Sequence, residues 1–406
     1  MRILQVLTYY RPHISGLTIY VERLSRALAQ AGHQVTVLTT QYDPALSLEE
    51  VIDGVHVLRA PVLTRVSKGV IAPKFGAMAR KLLREHDIVH LHLPQFDGAG
   101  LAFNARRAGK PSVLTYHCDI LLPRTPFNRI VQPVINTAND LAARWVDCIV
   151  AYTDDYARHS HLLSRYTHKL RVIPPPVEID VPTPDDLKSF SHKWQINQGP
   201  VIGMAARMAT EKGVEVLLNA LEIVQRSLPN ARVMFAGPYQ NVIGEEAYGT
   251  RMLARIEQLN KTGNHWTNTG SLKGRELAAF FANCDVHILP SLNSTESFGL
   301  VQVESMLCGT PSICSALPGV RVSVQTTGMG EVVPIGDATA LAAAIVKVCG
   351  NRSVYVKSRA EIAAHYSTQR SVVEYQQLYA ELTQSVRQFA APRQQVIKGV
   401  VAAPKK

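Results

Sequence analysis

Short apolar runs alternate with stretches of helical apolar spacing along most of the chain, the pattern of α/β domains with parallel sheets. Residues 2–7 predict a strand and residues 19–31 a helix that Gly32 ends, with the next strand at 34–39. Residues 87–93, 112–116, 147–152 and 171–174 are further strand candidates. The same phrase then returns: a strand at 201–205, a helix opened by Lys212-Gly213 and running to 228, and a strand at 232–236. This predicts two similarly built halves rather than a short-period repeat. Between them, Pro174-Pro175-Pro176 and a polar, proline-dotted stretch to Gly199 read as a linker. The expected division is residues 1–176, joined by a late helix over 371–388, then 177–370, then a basic, disordered tail over 389–406. Two doubly wound domains facing each other place a ligand cleft between the carboxyl ends of their sheets.

Composition narrows the class. With 406 residues, 46% hydrophobic and 18% charged, the chain is an ordinary globular one. No apolar run approaches the roughly 18 residues that span a bilayer. The start reads as a first strand, without the small-residue cleavage site of a secretion signal. The six cysteines form no CxxC pair and no zinc-type spacing, so they are expected as reduced thiols in a cytoplasmic protein. Lysine and arginine number 43 against 32 acids, a net charge of +11, which favours anionic partners without naming one.

Candidate chemistry lies in strand-to-helix turns. The sharpest signal is Glu296-Ser297-Phe298-Gly299-Leu300-Val301-Gln302-Val303-Glu304. A strand at 287–290 leads into it, and a helix is expected from Phe298 or Gly299. Amides at a helix start attract phosphate, and a glycine there lets a ligand approach. Glu296 and Glu304 are about 12 Å apart along such a helix, too far to share one glycosidic bond, where paired carboxylates sit about 5–9.5 Å apart. They suit opposite ends of one long ligand, Glu296 at a reacting sugar and Glu304 at ribose hydroxyls. The plainer alternative is a loop acid and a solvent-facing helical one. The second constellation is Arg207 with Lys212, five apart after a strand, two cations able to converge on a diphosphate, a fork and a point charge. A pair of surface cations is the alternative; no Walker motif is present. Gly16, in Pro12-His13-Ile14-Ser15-Gly16, could bring amides to a phosphate or sugar, or simply turn. His117, in Thr115-Tyr116-His117-Cys118-Asp119, can donate or accept near pH 7, which suits a sugar hydroxyl or developing charge, or is a hydrogen-bonded structural residue. His90 and His92 share a strand face and read as core or cleft packing rather than metal ligands. Arg59, Arg65, Lys68, Lys74, Arg80, Lys81 and Arg84 form a basic stretch without an acid between Asp53 and Glu85. Its interleaved Val70, Ile71, Phe75, Met78, Leu82 and Leu83 suit either an anionic membrane surface or packing on the protein itself. Aromatic residues are sparse and no reader motif appears, which argues against nucleic acid.

Taken together, these segments resemble the retaining family-4 glycosyltransferases, over nearly the whole chain. The Ser15-Gly16 loop, the YHxD segment at 116–119, Arg207-x4-Lys212, Glu296-x7-Glu304 and the GTPSI run at 309–313 occur in the family's order. The resemblance implies the GT-B fold, two Rossmann-like domains, with residues 1–176 on the acceptor side and 177–370 binding the nucleotide sugar. It implies a hexosyltransferase that takes a sugar from a nucleotide diphosphate with retention and without a metal or other cofactor; no DxD triplet is present. Arg207 and Lys212 would neutralise the leaving diphosphate, with Glu296 at the donor sugar and the amides of Phe298, Gly299 and Leu300 nearby. Glu304 would hold the ribose, Gly16 would lie beside the distal phosphate, and His117 would contact the sugar's C6 region. The base would rest on Ser271-Leu272-Lys273. UDP is the favoured base carrier and a lipid or lipid-linked acceptor at the cytoplasmic membrane face the favoured acceptor, as in bacterial members that build glycolipids and surface glycans. The alternatives are a GT-B nucleotide-sugar 2-epimerase and a catalytically silent nucleotide-sugar-binding protein. The family often has Gly-Gly where this chain has Ser15-Gly16, and a Gly-Gly-x-x-Glu run where it has Leu317-Pro318-Gly319-Val320-Arg321.

Overall fold

The structure, a computed structural model, describes residues 1–66, 69–122, 126–196, 199–263 and 265–390. Two mostly parallel sheets carry it. The first runs, in spatial order, Leu170–Val172, Cys148–Ala151, Ser112–Tyr116, Ile88–Leu93, Arg2–Val6, Gln34–Gln41, Val55–Pro61 and Glu49–Ile52. The second runs Trp266–Gly270, Arg232–Ala236, Val201–Ala205, Val286–Leu289, Ser312–Ser315 and Gly330–Val333. In each, the order doubles back about its first strand, which makes both α/β, doubly wound and Rossmann-like. Parallel strands flanked by helices are buried on both faces, which is why Ile88–Leu93 and Val201–Ala205 read as unbroken buried runs.

The strands expected at 112–116, 201–205 and 232–236 fall at those positions, and most others within two residues. One hairpin was not expected. Glu49–Ile52 pairs antiparallel with Val55–Pro61 across Asp53-Gly54, both at positive φ, the two-residue turn that an Asp-Gly pair favours. The expected linker is also shorter than read. Pro184–Lys193 is a helix, closed at its start by the reciprocal Thr183 and Asp186 capping box, and its Phe190 buries against Phe280. The late helix is Thr368–Ala390, longer than read, and it packs against Gly16–Gln30. The basic tail from 391 onward, and Lys68, lie outside the described residues.

One further expectation changes, and one open alternative is settled. Arg59 is not on a basic surface: its side chain is buried, donates to the carbonyls of Ser47 (2.9 Å) and Arg11 (3.0 Å), and pairs with Glu50. Nor do the apolar residues of Phe75–Glu85 face outward. Phe75, Ala79, Leu82 and Leu83 are buried in the core beneath the first sheet, leaving Lys74, Arg80, Lys81 and Arg84 to solvent. One apolar cluster crosses between the halves, joining Tyr20, Tyr152 and Tyr375 to Leu289, Phe298 and Val303.

Candidate active site

The carboxyl ends of the two sheets meet in a seam. From the first sheet, the chain leaves Ser112–Tyr116 directly into His117-Cys118-Asp119. From the second, it leaves Val286–Leu289 into a loop that ends at Gly299, where the helix Leu300–Leu307 begins. That helix starts one or two residues later than the sequence predicts. Gly299 has φ +79°, a left-handed conformation that no helical residue adopts, so Phe298 and Gly299 lie before the first turn. A side chain at Gly299 would also meet Leu289 Cδ2 at 2.4 Å and Gln302 Nε2 at 2.7 Å.

The two loops are tied together. Ser297 Oγ donates to the carbonyl of His117, the Tyr156 hydroxyl donates to the carbonyl of Ser294 at 3.4 Å, and the Asp119 amide donates to that same hydroxyl at 2.7 Å. Phe298 is buried edge-on against Tyr152 and Tyr366. His117, Ser297 and Glu304 are each only 5% exposed, so the seam is shut at these residues.

The expected cations and acids converge here. Lys212 ends the short turn Thr210–Lys212, and its Nζ lies 2.6 Å from Glu296 Oε2, both side chains largely buried. Arg207 pairs with Glu211 in the loop after Val201–Ala205. Burial pushes the Cys118 thiol up to about 12; Glu296 and Asp119 add to the rise, and Lys212 and Arg207 oppose it. Asp119 belongs to the same loop as Cys118, whereas Glu296, Lys212 and Arg207 act on it from the second half. Glu304 is not the solvent-facing acid of the plainer reading: Arg23 of Gly16–Gln30 donates to its Oε1 at 2.7 Å, the two side chains being 13% and 6% exposed. Gly16 starts that same helix, capped by the Ser15 hydroxyl, with open space where a side chain would stand. Ser271, Leu272 and Lys273 join the edge strand Trp266–Gly270 to the helix Gly274–Ala282, with Leu272 packed against the cluster that holds Ala205 and Ala236.

His117 corrects an expectation. Burial lowers its ring to about 3, so it is neutral rather than titrating near pH 7. Both ring nitrogens are engaged, Nδ1 by the Tyr152 hydroxyl and Nε2 by His92 Nδ1 at 3.0 Å. His90 and His92 are likewise bonded to Tyr379, Thr115 and Gln5. Among the described residues, no group of three or more His, Cys, Asp or Glu is arranged to hold a metal ion.

Other seam residues carried no local signal. Arg23 belongs to no motif, and Ser297, though inside the Glu296–Glu304 run, had no role assigned until its bond to the His117 carbonyl was seen. Asp155 Oδ2 accepts from the Gly319 amide (2.8 Å) and Arg321 Nε (2.9 Å), and its Oδ1 accepts from Arg321 Nη2 (2.7 Å), a second tie between the halves. Arg321 stands in the stretch where the sequence leaves the family's Gly-Gly-x-x-Glu pattern.

Two parallel α/β units meeting at their carboxyl ends, with cations and acids gathered at the junction, define a GT-B protein. Its fold matches sucrose-phosphate synthase from Thermosynechococcus elongatus with a TM-score of 0.75 at 20% identity, over 95% of this chain and 99% of that one. It also matches Anabaena HepE, solved in complex with UDP and glucose, at a TM-score of 0.68 and 18% identity, over 96% and 99% of the two chains. Residues 14–181 match the family model for Glycosyltransferase Family 4, and residues 188–366 that for Glycosyl transferases group 1. The chain belongs to the family-4 glycosyltransferases. It is 26% identical to the phosphatidyl-myo-inositol mannosyltransferase of Mycobacterium leprae, over 90% of this chain and 93% of that protein. It is 25% identical to O-antigen chain mannosyltransferase C of Escherichia coli, over 95% and 100%. Among the described residues, no helix is long and apolar enough to cross a membrane.

Proposed function

We propose that this glycosyltransferase works with retention and without a metal, moving a hexosyl group from a nucleotide-diphosphate sugar, UDP being the favoured carrier, to a lipid or lipid-linked acceptor. The half around residues 1–176, with the helix Thr368–Ala390, takes the acceptor; the half around 177–370 takes the donor. The observation that carries this reading is the Lys212–Glu296 pair at 2.6 Å, one residue before Ser297, whose hydroxyl is tied to the carbonyl of His117. Transfer builds negative charge on the departing diphosphate and oxocarbenium character at the anomeric carbon. Arg207 and Lys212 neutralise the first, where fixed cations act most strongly on developing charge. Glu296, steered by Lys212, meets the donor sugar, with the Phe298–Leu300 amides beside it. Glu304 has one oxygen on Arg23 and keeps the other for the ribose diol; Gly16 lies beside the distal phosphate, and Ser271–Lys273 meet the base. His117 contacts the sugar's C6 hydroxyl by exchanging its bond to Tyr152. The acceptor hydroxyl attacks on the face from which the diphosphate leaves, and the leaving phosphate takes its proton. The shut seam excludes water and suppresses donor hydrolysis.

The test is the melting temperature with UDP, GDP or ADP, each in EDTA and in Mg²⁺. A ligand at about 100 times its Kd adds about 2.7 kcal/mol, a rise of several degrees. We expect that rise with UDP in EDTA. A rise with GDP alone moves the donor assignment, a requirement for Mg²⁺ removes metal independence, and no rise at all favours a silent protein. Turnover of the donor without an acceptor would favour the 2-epimerase.

The acceptor reading rests on relatives whose names place them on phosphatidylinositol and O-antigen, and on the surface of the first half. Lys74, Arg80, Lys81 and Arg84 supply charge there, while Leu63, Ile130 and Val134 stand 73%, 72% and 59% exposed. This suits peripheral attachment to the inner face of the cell membrane. Co-sedimentation is expected with vesicles containing anionic lipid and not with neutral ones; absence of binding at low salt overturns the membrane claim.

A further inference from the structure

One face of the first sheet buries a run of polar side chains. Register pairs Gln5 with His90 and His92 with Thr115, and His117 follows two residues beyond, all on one side. The helices Gly16–Gln30 and Thr368–Ala390 cover them with Tyr20, Tyr375 and Tyr379. Gln5, His90 and Thr115 are 0% and His92 1% exposed. A buried polar group without a partner costs about 1–3 kcal/mol, and here the groups satisfy one another. Burial keeps His90, His92 and His117 neutral, so each ring has one N–H and one bare nitrogen.

In such a circuit, one group with fixed roles sets the direction of all the others. Gln5 is that group, because its carbonyl only accepts and its amide only donates. Its Oε1 lies 2.7 Å from His92 Nε2, so His92 carries its proton there. His92 Nδ1 is then bare and accepts from His117 Nε2–H at 3.0 Å. His117 Nδ1 is bare in turn and accepts the Tyr152 hydroxyl. On the other side, Gln5 Nε2 donates to the Tyr379 hydroxyl at 3.5 Å, which donates to His90 Nδ1 at 2.7 Å. His90 Nε2–H then donates to Thr115 Oγ1, also at 2.7 Å.

We propose that Gln5 is a positioning residue that, through His92, holds His117 in the tautomer with Nδ1 unprotonated, so that the ring offers a donor-sugar hydroxyl an acceptor in place of Tyr152. The proposal rests on the reading of His117 as a donor-sugar contact. Exchanging one hydroxyl donor for another conserves the hydrogen bond, whereas the opposite tautomer, passed along to His92, would set two acceptors, His92 Nε2 and Gln5 Oε1, face to face at 2.7 Å.

The experiment is long-range proton–nitrogen correlation of the full chain labelled with ¹⁵N-histidine, His117 being assigned by the signal lost in His117→Gln. The expected spectrum has His117 neutral, protonated at Nε2 and bare at Nδ1. Gln5→Leu removes the direction-setting group; His117 then samples both tautomers, and kcat falls roughly 10–100-fold, as when outer partners of a functional histidine are lost. The UDP-induced melting shift stays unchanged. Gln5→Glu is the rescue: a carboxyl buried as fully as Gln5 keeps its proton, accepting from His92 and donating to Tyr379 as the amide does. Its tautomer signature and kcat are expected near those of the unaltered chain. A proton on His117 Nδ1 in the unaltered chain overturns the proposal whatever the variants do. So does a Gln5→Leu kcat within about threefold of the original, or a Gln5→Glu variant no better than Gln5→Leu. If His117→Ala transfers sugar at the full rate while the expected tautomer is seen, the sugar contact fails and the tautomer assignment stands.

Discussion

Lys212→Ala is expected to lower kcat by about 10²–10³-fold, roughly 2.7–4 kcal/mol of transition-state stabilisation, the usual cost of deleting a fixed group aimed at developing charge. Two losses combine. The diphosphate leaves without its point charge, and Glu296, whose side chain is 16% exposed, loses the cation 2.6 Å away that aims it. Lys212→Arg keeps the charge on a longer, planar head that does not fit the same place, and should recover only part of the rate. Steady-state transfer from the donor sugar, read beside UDP binding by calorimetry, checks the claim. Activity within about threefold of the original would remove Lys212 from the chemistry.

Gly299→Ala should damage stability and catalysis together. The residue sits at φ +79°, where an added side chain costs about 1–2 kcal/mol. The new Cβ would lie 2.4 Å from Leu289 Cδ2, and such overpacking costs about 1–3 kcal/mol more. It would also press on Gln302, whose amide holds the carbonyls of Phe298 and Val320 at 3.0 and 3.1 Å. Leu289 and Gln302 are both buried, so relief draws on the 296–299 loop as well as on their side-chain ends, and a shift of about 1 Å there is enough to cost roughly 100-fold in rate. Thermal melting and transfer kinetics measure the two effects. Gly328→Ala is the control: φ is +66° but nothing lies within 4 Å, so it should carry the backbone cost alone and leave the rate intact.

What the sequence revealed follows from the range over which each signal acts. Strand runs such as 148–151 and 201–205 were legible because burial on both faces writes an unbroken apolar word into four or five residues. The loop around Glu296 and Gly299 was legible because its parts lie within nine residues of each other. Position within the loop was less so: the helix start depended on a backbone torsion at Gly299, not on composition. Arg59 and the apolar side of Phe75–Glu85 were ambiguous for a different reason, since the same residues serve a core or a membrane equally well until a sheet is laid beneath them. Arg23 against Glu304, and Gln5 against His92, were out of reach, because strand register and the meeting of two halves bring them together across 281 and 87 residues.

The contact of Asp155 with Gly319 and Arg321 has a dynamic consequence. One carboxylate accepts from a backbone amide and, side-on, from Nε and Nη2 of one guanidinium, so a single side chain gathers three bonds between the halves. Because the bonds are charge-assisted and only partly shielded, their hold weakens as ionic strength rises. The rhythm of substrate entry and product exit would then be set partly by dissolved salt.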